Sequence, residues 1–283
     1  MKLSVKEIRS AVKAALAEDI GSGDATTLAT VPPGLTARAV MRAREPLVVA
    51  GIEFAEAAFR ELSGKVRIEK IFRDGRRAKT GAALLKISGS ARPILTAERV
   101  ALNFIQRLSG VATLTAKFVE AARGTGVQIL DTRKTTPVWR RFEKYAVVCG
   151  GGTNHRIGLF DMVLIKDNHL AALRRAKPNA IAAAISRTRK QFPKLKVEVE
   201  ADTLEQVRQA LDAGAEIILL DNMSLTQLRA AMKMAKGLAK TEASGGVNLK
   251  TVRAIAQTGV DFISVGALTH SAPAVDIALD FES

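Results

Sequence analysis

Charged residues sit directly behind short apolar runs in this 283-residue chain, and they are where its chemistry can be sought. VQIL runs into Asp131, MVLI into Lys166, VEV into Glu200 and EIILL into Asp221. KTEA leads to Ser244 and FISV to Gly266. In DTRKTTP (131–137) two cations, Arg133 and Lys134, follow the first run among hydroxyl side chains. An arginine offers a planar fork to a carboxylate or phosphate, and a lysine offers a point charge. Such a pair in an ordinary loop is merely solvated; its place behind a strand favours a site. GGGTNHR (150–156) is more specific. Three glycines give a backbone free to approach a ligand, and Asn154, His155 and Arg156 follow as three donors in a row. The segment is neither a GxxxxGK[ST] loop nor a GxGxxG fingerprint. Lys166 opens KDNH, and a lysine at such a mouth needs an anion to hold its charge.

Acids balance these cations. Two carboxylates such as Glu200 and Asp221 suit Mg²⁺ that is also bound by substrate phosphate oxygens. They equally suit a cationic transition state met directly, and ion pairing with Lys134 or Lys166 in the empty site excludes neither role. Glu198 shares a strand face with Glu200, which lies nearer the strand end and is preferred. EASGG (242–246) and SVGA (264–267) expose backbone N–H groups where phosphates commonly bind in β/α barrels, unless they only permit tight turns. His169 is either a ligand or part of a helix start. His270 has no metal-ligating partner at useful spacing, and with a single cysteine and scattered histidines a zinc site is not expected.

These residues need a scaffold. From residue 125 onward the short apolar runs alternate with amphipathic helices such as DTLEQVRQALDAG and NLKTVRAIAQTG, each closing on a glycine suited to a C-cap. Apolar strands covered by helices form a parallel sheet. Both a closed barrel and an open doubly wound sheet gather ligands at C-terminal strand ends, and periodicity does not separate them. The first hundred residues read as a mixed α+β unit. MKLSVKEIRSAVKAALAEDI is an amphipathic helix and not a signal peptide. One or two strands are predicted in 38–50, a helix in GIEFAEAAFREL and strands in VRIEKIFRDG and RRAKTGAALLKISG. A long helix follows from Thr96, its predicted N-cap, with Gly110 a point where it can break.

Composition narrows the class. Lys and Arg exceed Asp and Glu by 43 − 28 = 15, which points to an anionic partner without naming it. Eight basic residues and no acid lie between Arg174 and Lys196, interleaved with alanine and isoleucine, the pattern of a solvated helix face. One Trp and one Tyr give little to stack bases on, so a nucleic-acid-binding protein is the weaker alternative. No run of eighteen apolar residues predicts a membrane span. The lone Cys149 rules out an internal disulfide, reads as a small buried apolar residue and fits a reducing cytoplasm.

Taken in order, ERVALN, SGVAT, DTRKTTP, EKYAV, GGGTNHR, IKDNH, EVEADTLEQ, LLDN, EASGG and VGALTHSAP, together with EDIGSGDATT near the start, resemble the quinolinate phosphoribosyltransferases. Val138 departs from that pattern, which has glycine after TTP. The resemblance implies an α/β fold: an N-terminal α/β sandwich domain (1–111) and an atypical, incomplete α/β barrel of parallel strands (112–266). A C-terminal tail (267–283) returns to the first domain. It implies transfer of a phosphoribosyl group from 5-phosphoribosyl 1-pyrophosphate to quinolinate with Mg²⁺. The products are nicotinate mononucleotide, pyrophosphate and CO₂, a step of de novo NAD synthesis. It further implies a homodimer, or a larger assembly of dimers such as a hexamer, with sites shared across the dimer interface. Arg99 from the partner subunit would then join Arg133, His155, Arg156 and Lys166 around the two quinolinate carboxylates. Lys134, Glu200 and Asp221 would be catalytic, the two acids also holding the metal, and Ser244, Gly245, Gly246 and Gly266 would cradle the 5′-phosphate. ModD-like relatives associated with molybdenum transport, or nicotinate phosphoribosyltransferase, are the nearest rivals; intact GGGTNHR and IKDNH argue against both.

Overall fold

The computed structural model describes residues 1–282; Ser283, the last residue of the tail, lies outside the described residues. The chain divides into two units. The first comprises Met1–Ala116, Thr136–Gly151 and the chain from Ser271 onward; the second comprises Lys117–Thr135 and Gly152–His270. A boundary drawn at 111/112 from the sequence does not contain the excursion at 136–151, where the chain leaves the second unit and comes back.

The elements run α1 (Val5–Ile20), α2 (Ala25–Thr30), β1 (Thr36–Ala43), β2 (Leu47–Val48), α3 (Ile52–Leu62), β3 (Arg67–Lys70), β4 (Arg77–Ala78), β5 (Ala83–Ser90) and α4 (Ala91–Ala121). Then follow β6 (Gln128–Leu130), α5 (Arg140–Cys149), β7 (Val163–Ile165), α6 (Asp167–Ala172), α7 (Ala180–Gln191), β8 (Val197–Ala201) and α8 (Leu204–Asp212). The last are β9 (Ile217–Asp221), α9 (Leu225–Ala235), β10 (Lys240–Ser244), α10 (Val252–Ala256), β11 (Phe262–Ser264), α11 (Ala267–His270) and β12 (Ile277–Glu282).

In the first unit, α1 starts on a capping box: Glu7 N–H donates to Ser4 Oγ at 3.2 Å and Ser4 N–H to Glu7 Oε2 at 2.9 Å. Its buried stripe of Ile8, Val12 and Leu16 packs on α3. The antiparallel sheet has the order β12-β1-β5-β3, so the tail is knitted to β1 along its whole strand. Two expectations change in α4. The helix begins at Ala91, with Pro93 in the first turn where no N–H is missed, and Thr96 instead donates to Asp24 Oδ2 at 2.9 Å. It also passes unbroken through Gly110. A Cβ on Gly110 would come within 2.0 Å of Pro273 O, so this glycine makes room for the returning tail. α5 is anchored here by Glu143, fully buried, which binds Arg107 Nη2 at 2.8 Å and accepts from Thr136 N–H at 3.0 Å.

The second unit holds all six apolar runs as parallel strands in the order β6-β11-β10-β9-β8-β7. Chain neighbours are sheet neighbours from β7 to β11, and β6 closes on β11. This is the order of a six-stranded barrel left open at the seam between β6 and β7. At β6, Thr153 makes a single parallel bridge to Leu130. The incomplete barrel is thus what the strands form, and the open doubly wound alternative is excluded, because a doubly wound sheet reverses strand order at its centre. The basic stretch 174–196 is not one helix: α7 starts at its N-cap Asn179, buries Ile181, Ala184 and Ile185, and leaves its arginines and lysines in solvent. Among the described residues, no helix is long and apolar enough to cross a membrane.

Candidate active site

Parallel strands place their C-terminal ends on one side, and strand register fixes which ends meet. Asp221 at the end of β9 pairs with Ser244 at the end of β10, while Glu200 in β8 lies level with Leu219. With the side chains alternating across each strand, Glu198 and Glu200 face the same way, one deep and one near the rim. Glu198 is fully buried. Glu200 keeps 15% of its side-chain surface and lies 3.8 Å from Lys166 Nζ, the pairing allowed for in the empty site. Burial, and then the charges of Asp221, Asp167 and Asp202, raise the Glu200 pKa against the pull of Lys166. Oxygens of Glu200, Asp202 and Asp221 lie within 4.8 Å of one another. Asp202 follows the strand by one residue, and only the turn into α8 brings it here.

Asn222 links this acidic group to the glycine turn. It has φ 53°, a conformation asparagine tolerates, and its Nδ2 donates to Asp221 Oδ2 at 2.6 Å. Its own N–H donates to Ser244 O at 3.0 Å. Gly245 has φ 94°, and a Cβ there would lie 2.1 Å from Asn222 Oδ1. On the far side of the turn, Gly266 faces His270 and Lys134: a Cβ on it would be 3.1 Å from His270 Nε2 and 3.3 Å from Lys134 Cδ. Thr269 Oγ1 donates to Lys134 O at 2.7 Å, holding the lysine's backbone against α11. The sequence gives His270 no role, since its spacing suits no metal; in the fold it lies beside Gly266, next to Lys134.

The segment after GGG is held by Asp131. Fully buried behind β6, it accepts from Asn154 Nδ2 at 2.6 Å and from His155 N–H at 2.9 Å. The glycines divide their duties. A Cβ on Gly150 would lie 2.4 Å from Ala112 O and 2.6 Å from Thr115 Cβ, and Gly151 has φ 86°. These two serve helix packing and a turn, not the ligand approach expected of them. Arg156 has its pKa lowered by burial and by the neighbouring Arg133 charge, with Glu198 and Asp161 opposing. At the start of α6, Lys166 N–H donates to His169 Nδ1 at 2.9 Å, so His169 belongs to the helix start.

Beneath them lies a cluster that the sequence reading did not assemble. His155 Nε2 is 3.0 Å from Glu198 Oε2 and 3.2 Å from Glu242 Oε2, with both carboxylates buried. Its Nδ1 accepts from Arg156 N–H at 2.8 Å. Burial opposes charge on the imidazole, yet the nearby Glu198 and Glu242 carboxylates outweigh it and push the His155 pKa up to about 10; neither Glu198 oxygen completes a hydrogen bond. Burial, and then Glu242, raise the Glu198 carboxyl to about 7. The Arg156 N–H pointing at Nδ1 leaves the ring proton on Nε2, which faces the two carboxylates. The resemblance expects His155 at the quinolinate carboxylates; here both ring nitrogens face protein partners. Arg99 is exposed on α4 in the first unit.

A barrel mouth with cationic side chains, an acidic group and a glycine-lined turn can bind a polyanion, hold a divalent cation and face a developing positive charge. Comparison with known families decides between such uses. Residues 24–109 match the N-terminal domain and residues 111–280 the C-terminal domain of quinolinate phosphoribosyl transferase. The chain belongs to this family. It is 44% identical to the carboxylating nicotinate-nucleotide pyrophosphorylase of Mycobacterium leprae, over 96% of each chain. It is 41% identical to a decarboxylating quinolinate phosphoribosyltransferase, the mitochondrial 2b form of Nicotiana tabacum, over 98% of this chain and 83% of the relative. A solved structure of NadC from Streptococcus pyogenes superposes with a TM-score of 0.94 at 39% identity, covering 100% of both chains.

Proposed function

We propose that the barrel mouth transfers the phosphoribosyl group of 5-phosphoribosyl 1-pyrophosphate to quinolinate and releases CO₂, giving nicotinate mononucleotide and pyrophosphate. The chain is a pentosyltransferase of NAD synthesis, as its family and the names of its relatives have it. The observation that carries the site assignment is the group of Glu200, Asp202 and Asp221, whose oxygens lie within 4.8 Å of one another at the strand ends beside Lys166. The charge of Arg133 also bears on the part-buried Arg156, and a dianion such as quinolinate, with two carboxylates, relieves like charges of this kind.

In this reading Arg133, Arg156 and Lys166 bind the carboxylates, completed by the partner subunit's Arg99 in a homodimer or a hexamer of dimers. Lys134, Ser244, Gly245, Gly246 and Gly266 hold the phosphates, with His270 beside them. The donor set at Glu200, Asp202 and Asp221 is hard oxygen, grouped and partly open, which fits Mg²⁺ shared with substrate phosphates. When bound, the ion neutralises charge on the departing pyrophosphate. The protein's own groups do the rest. Lys134 draws the leaving group away, and Glu200 and Asp221 face the ribosyl carbon as it turns cationic. The arginines hold the quinolinate ring so that its nitrogen meets that carbon. The bond from carbon to pyrophosphate oxygen breaks and the carbon–nitrogen bond forms. As CO₂ departs, the electron pair of the broken carbon–carbon bond stays on the ring carbon beside the positive nitrogen, which stabilises it, and a proton then bonds to that carbon.

A cytoplasmic setting is supported by the lone Cys149. Nucleic acid is not a partner in this reading: Trp139 is stacked on Phe104, with ring centroids 4.9 Å apart, and Tyr145 OH donates to Asp74, so neither ring offers a base platform. The decisive experiment mixes the protein with quinolinate, phosphoribosyl pyrophosphate and Mg²⁺ and measures nicotinate mononucleotide and CO₂. Comparable kcat/KM for nicotinate would refute the dianion pocket, since one carboxylate leaves cations unpaired at a cost of about 1–3 kcal/mol or more. The shared site is tested by mixing Arg99→Ala with Lys134→Ala under subunit exchange. Regained activity supports it, and verified exchange without regain overturns it.

A further inference from the structure

We infer that Asn222 is a positioning residue for the phosphoribosyl pyrophosphate half of the site: its side-chain amide aims the Asp221 carboxylate, and its main chain ties that acid to the Ser244–Gly245 turn, so that acid and phosphate cradle are set as one piece. This deepens the reaction proposed above and rests on it.

The backbone alone offers a plain reason for an asparagine here. β9 ends at Asp221 and α9 starts from its N-cap Ser224, so Asn222 and Met223 make the whole turn between them. Asn222 takes φ 53°, and asparagine enters the left-handed region more readily than other residues with a Cβ. Glycine would serve that backbone better. What glycine cannot supply is the side chain. Asn222 Nδ2 donates to Asp221 Oδ2 at 2.6 Å, and among the described residues it is the one hydrogen-bond donor to that carboxylate. Asp221 needs one. Its oxygens share a space of 4.8 Å with those of Glu200 and Asp202, and like charges so close push one another aside. Lys166 Nζ, the nearby cation, is paired with Glu200. With Nδ2 committed to a carboxylate, the amide can lie only one way, and Oδ1 turns towards the loop after β10. There it lies 2.1 Å from where a Cβ on Gly245 would be, so that glycine is what lets the amide in. Below it, the Asn222 N–H donates to Ser244 O at 3.0 Å and carries the β9–β10 ladder one residue past the Asp221–Ser244 pair. One residue thus fixes an acid on its own strand end and the phosphate turn on the next, as outer groups orient inner ones at metal sites.

Asn222→Gly separates the two explanations, because it eases the backbone and removes the amide. Positioning predicts that kcat/KM for phosphoribosyl pyrophosphate falls by about ten- to a hundredfold, while the quinolinate KM stays within about twofold. A readout apart from activity is calorimetric titration of phosphoribosyl pyrophosphate with Mg²⁺ and no quinolinate, in which Kd should rise about tenfold or more. Wild-type kinetics and binding in Asn222→Gly would overturn the proposal and leave asparagine a matter of φ alone. Asn222→Asp keeps the side chain's size and its tolerance of the turn but sets an oxygen against Asp221. It reads the same donor even if the glycine variant does not fold. It should lose at least as much as Asn222→Gly, and a wild-type rate in it would equally overturn the proposal. The double variant Asp221→Asn/Asn222→Gly tests the route of action. Its kcat should be no lower than that of Asp221→Asn alone, since a residue acting through Asp221 has nothing left to aim. Losses that multiply would show Asn222 acting on something other than Asp221 and would refute the positioning role. A wild-type protein that makes no nicotinate mononucleotide would instead sink the reaction itself, and the calorimetric comparison would still decide the role of Asn222 in binding.

Discussion

Replacing Val138 by glycine should stabilise the protein. Val138 has φ 59°, in the left-handed region where a β-branched side chain collides with its own backbone. That conformation costs about 1–2 kcal/mol for a residue with a Cβ. The usual compensation, buried apolar contact, is absent in the single chain, since Val138 is 94% exposed. Glycine removes the strain but adds freedom to the unfolded chain, a loss of about 0.5–1 kcal/mol. The difference is a gain of about 0.5–1 kcal/mol, which corresponds to a rise of about 1–3 °C in Tm. Val138→Ala keeps a Cβ and should gain less. Thermal unfolding of the three proteins at equal concentration and scan rate is the assay. A lower Tm for Val138→Gly would refute the reasoning and show that the valine side chain makes a contact in the assembled protein that outweighs its strain. Catalysis should change little, because Val138 is not among the groups placed on substrate.

Further outcomes are expected at four positions. Glu200→Gln and Asp221→Asn should each lose about a hundredfold or more in kcat while circular dichroism stays native. Because burial and neighbouring acids raise the Glu200 pKa, its charged form opposes folding, so Glu200→Gln should not lower Tm; a clear drop would make the carboxylate structural. Gly245→Ala should raise the KM for phosphoribosyl pyrophosphate about tenfold or more, since its Cβ would lie 2.1 Å from Asn222 Oδ1 and 2.9 Å from Asn222 N, displacing the group that orients Asp221. Unchanged kinetics would remove the turn from the site. Burial pushes the Cys149 thiol up to about 12, so alkylation at pH 8 should run at least about a thousandfold slower than for an exposed cysteine and recover in urea. With the folded pKa above the unfolded one, this group's contribution is whole below about pH 8.5 and is lost as pH rises towards 12.

What the sequence determined by itself was local. Six apolar runs ending in Asp131, Lys166, Glu200, Asp221, Ser244 and Gly266 specify six strands and their informative ends, because a strand's period and its terminating residue are properties of adjacent positions. The motifs specify the family for the same reason. Closure was not local. Barrel and doubly wound sheet share these strands, and only the pairing of β6 with β11, across more than a hundred residues, excludes the second. Depth was not local either. Period two puts Glu198 and Glu200 on one face, but the barrel buries the first against His155 and Glu242 and leaves the second at the rim. The same holds for glycine. Gly110 and Gly150 look like a helix breaker and a ligand loop, yet Pro273 O and Ala112 O lie where their Cβ atoms would be. In each case what decides the residue's role is an atom distant in sequence, and its position exists only once the chain has closed on itself.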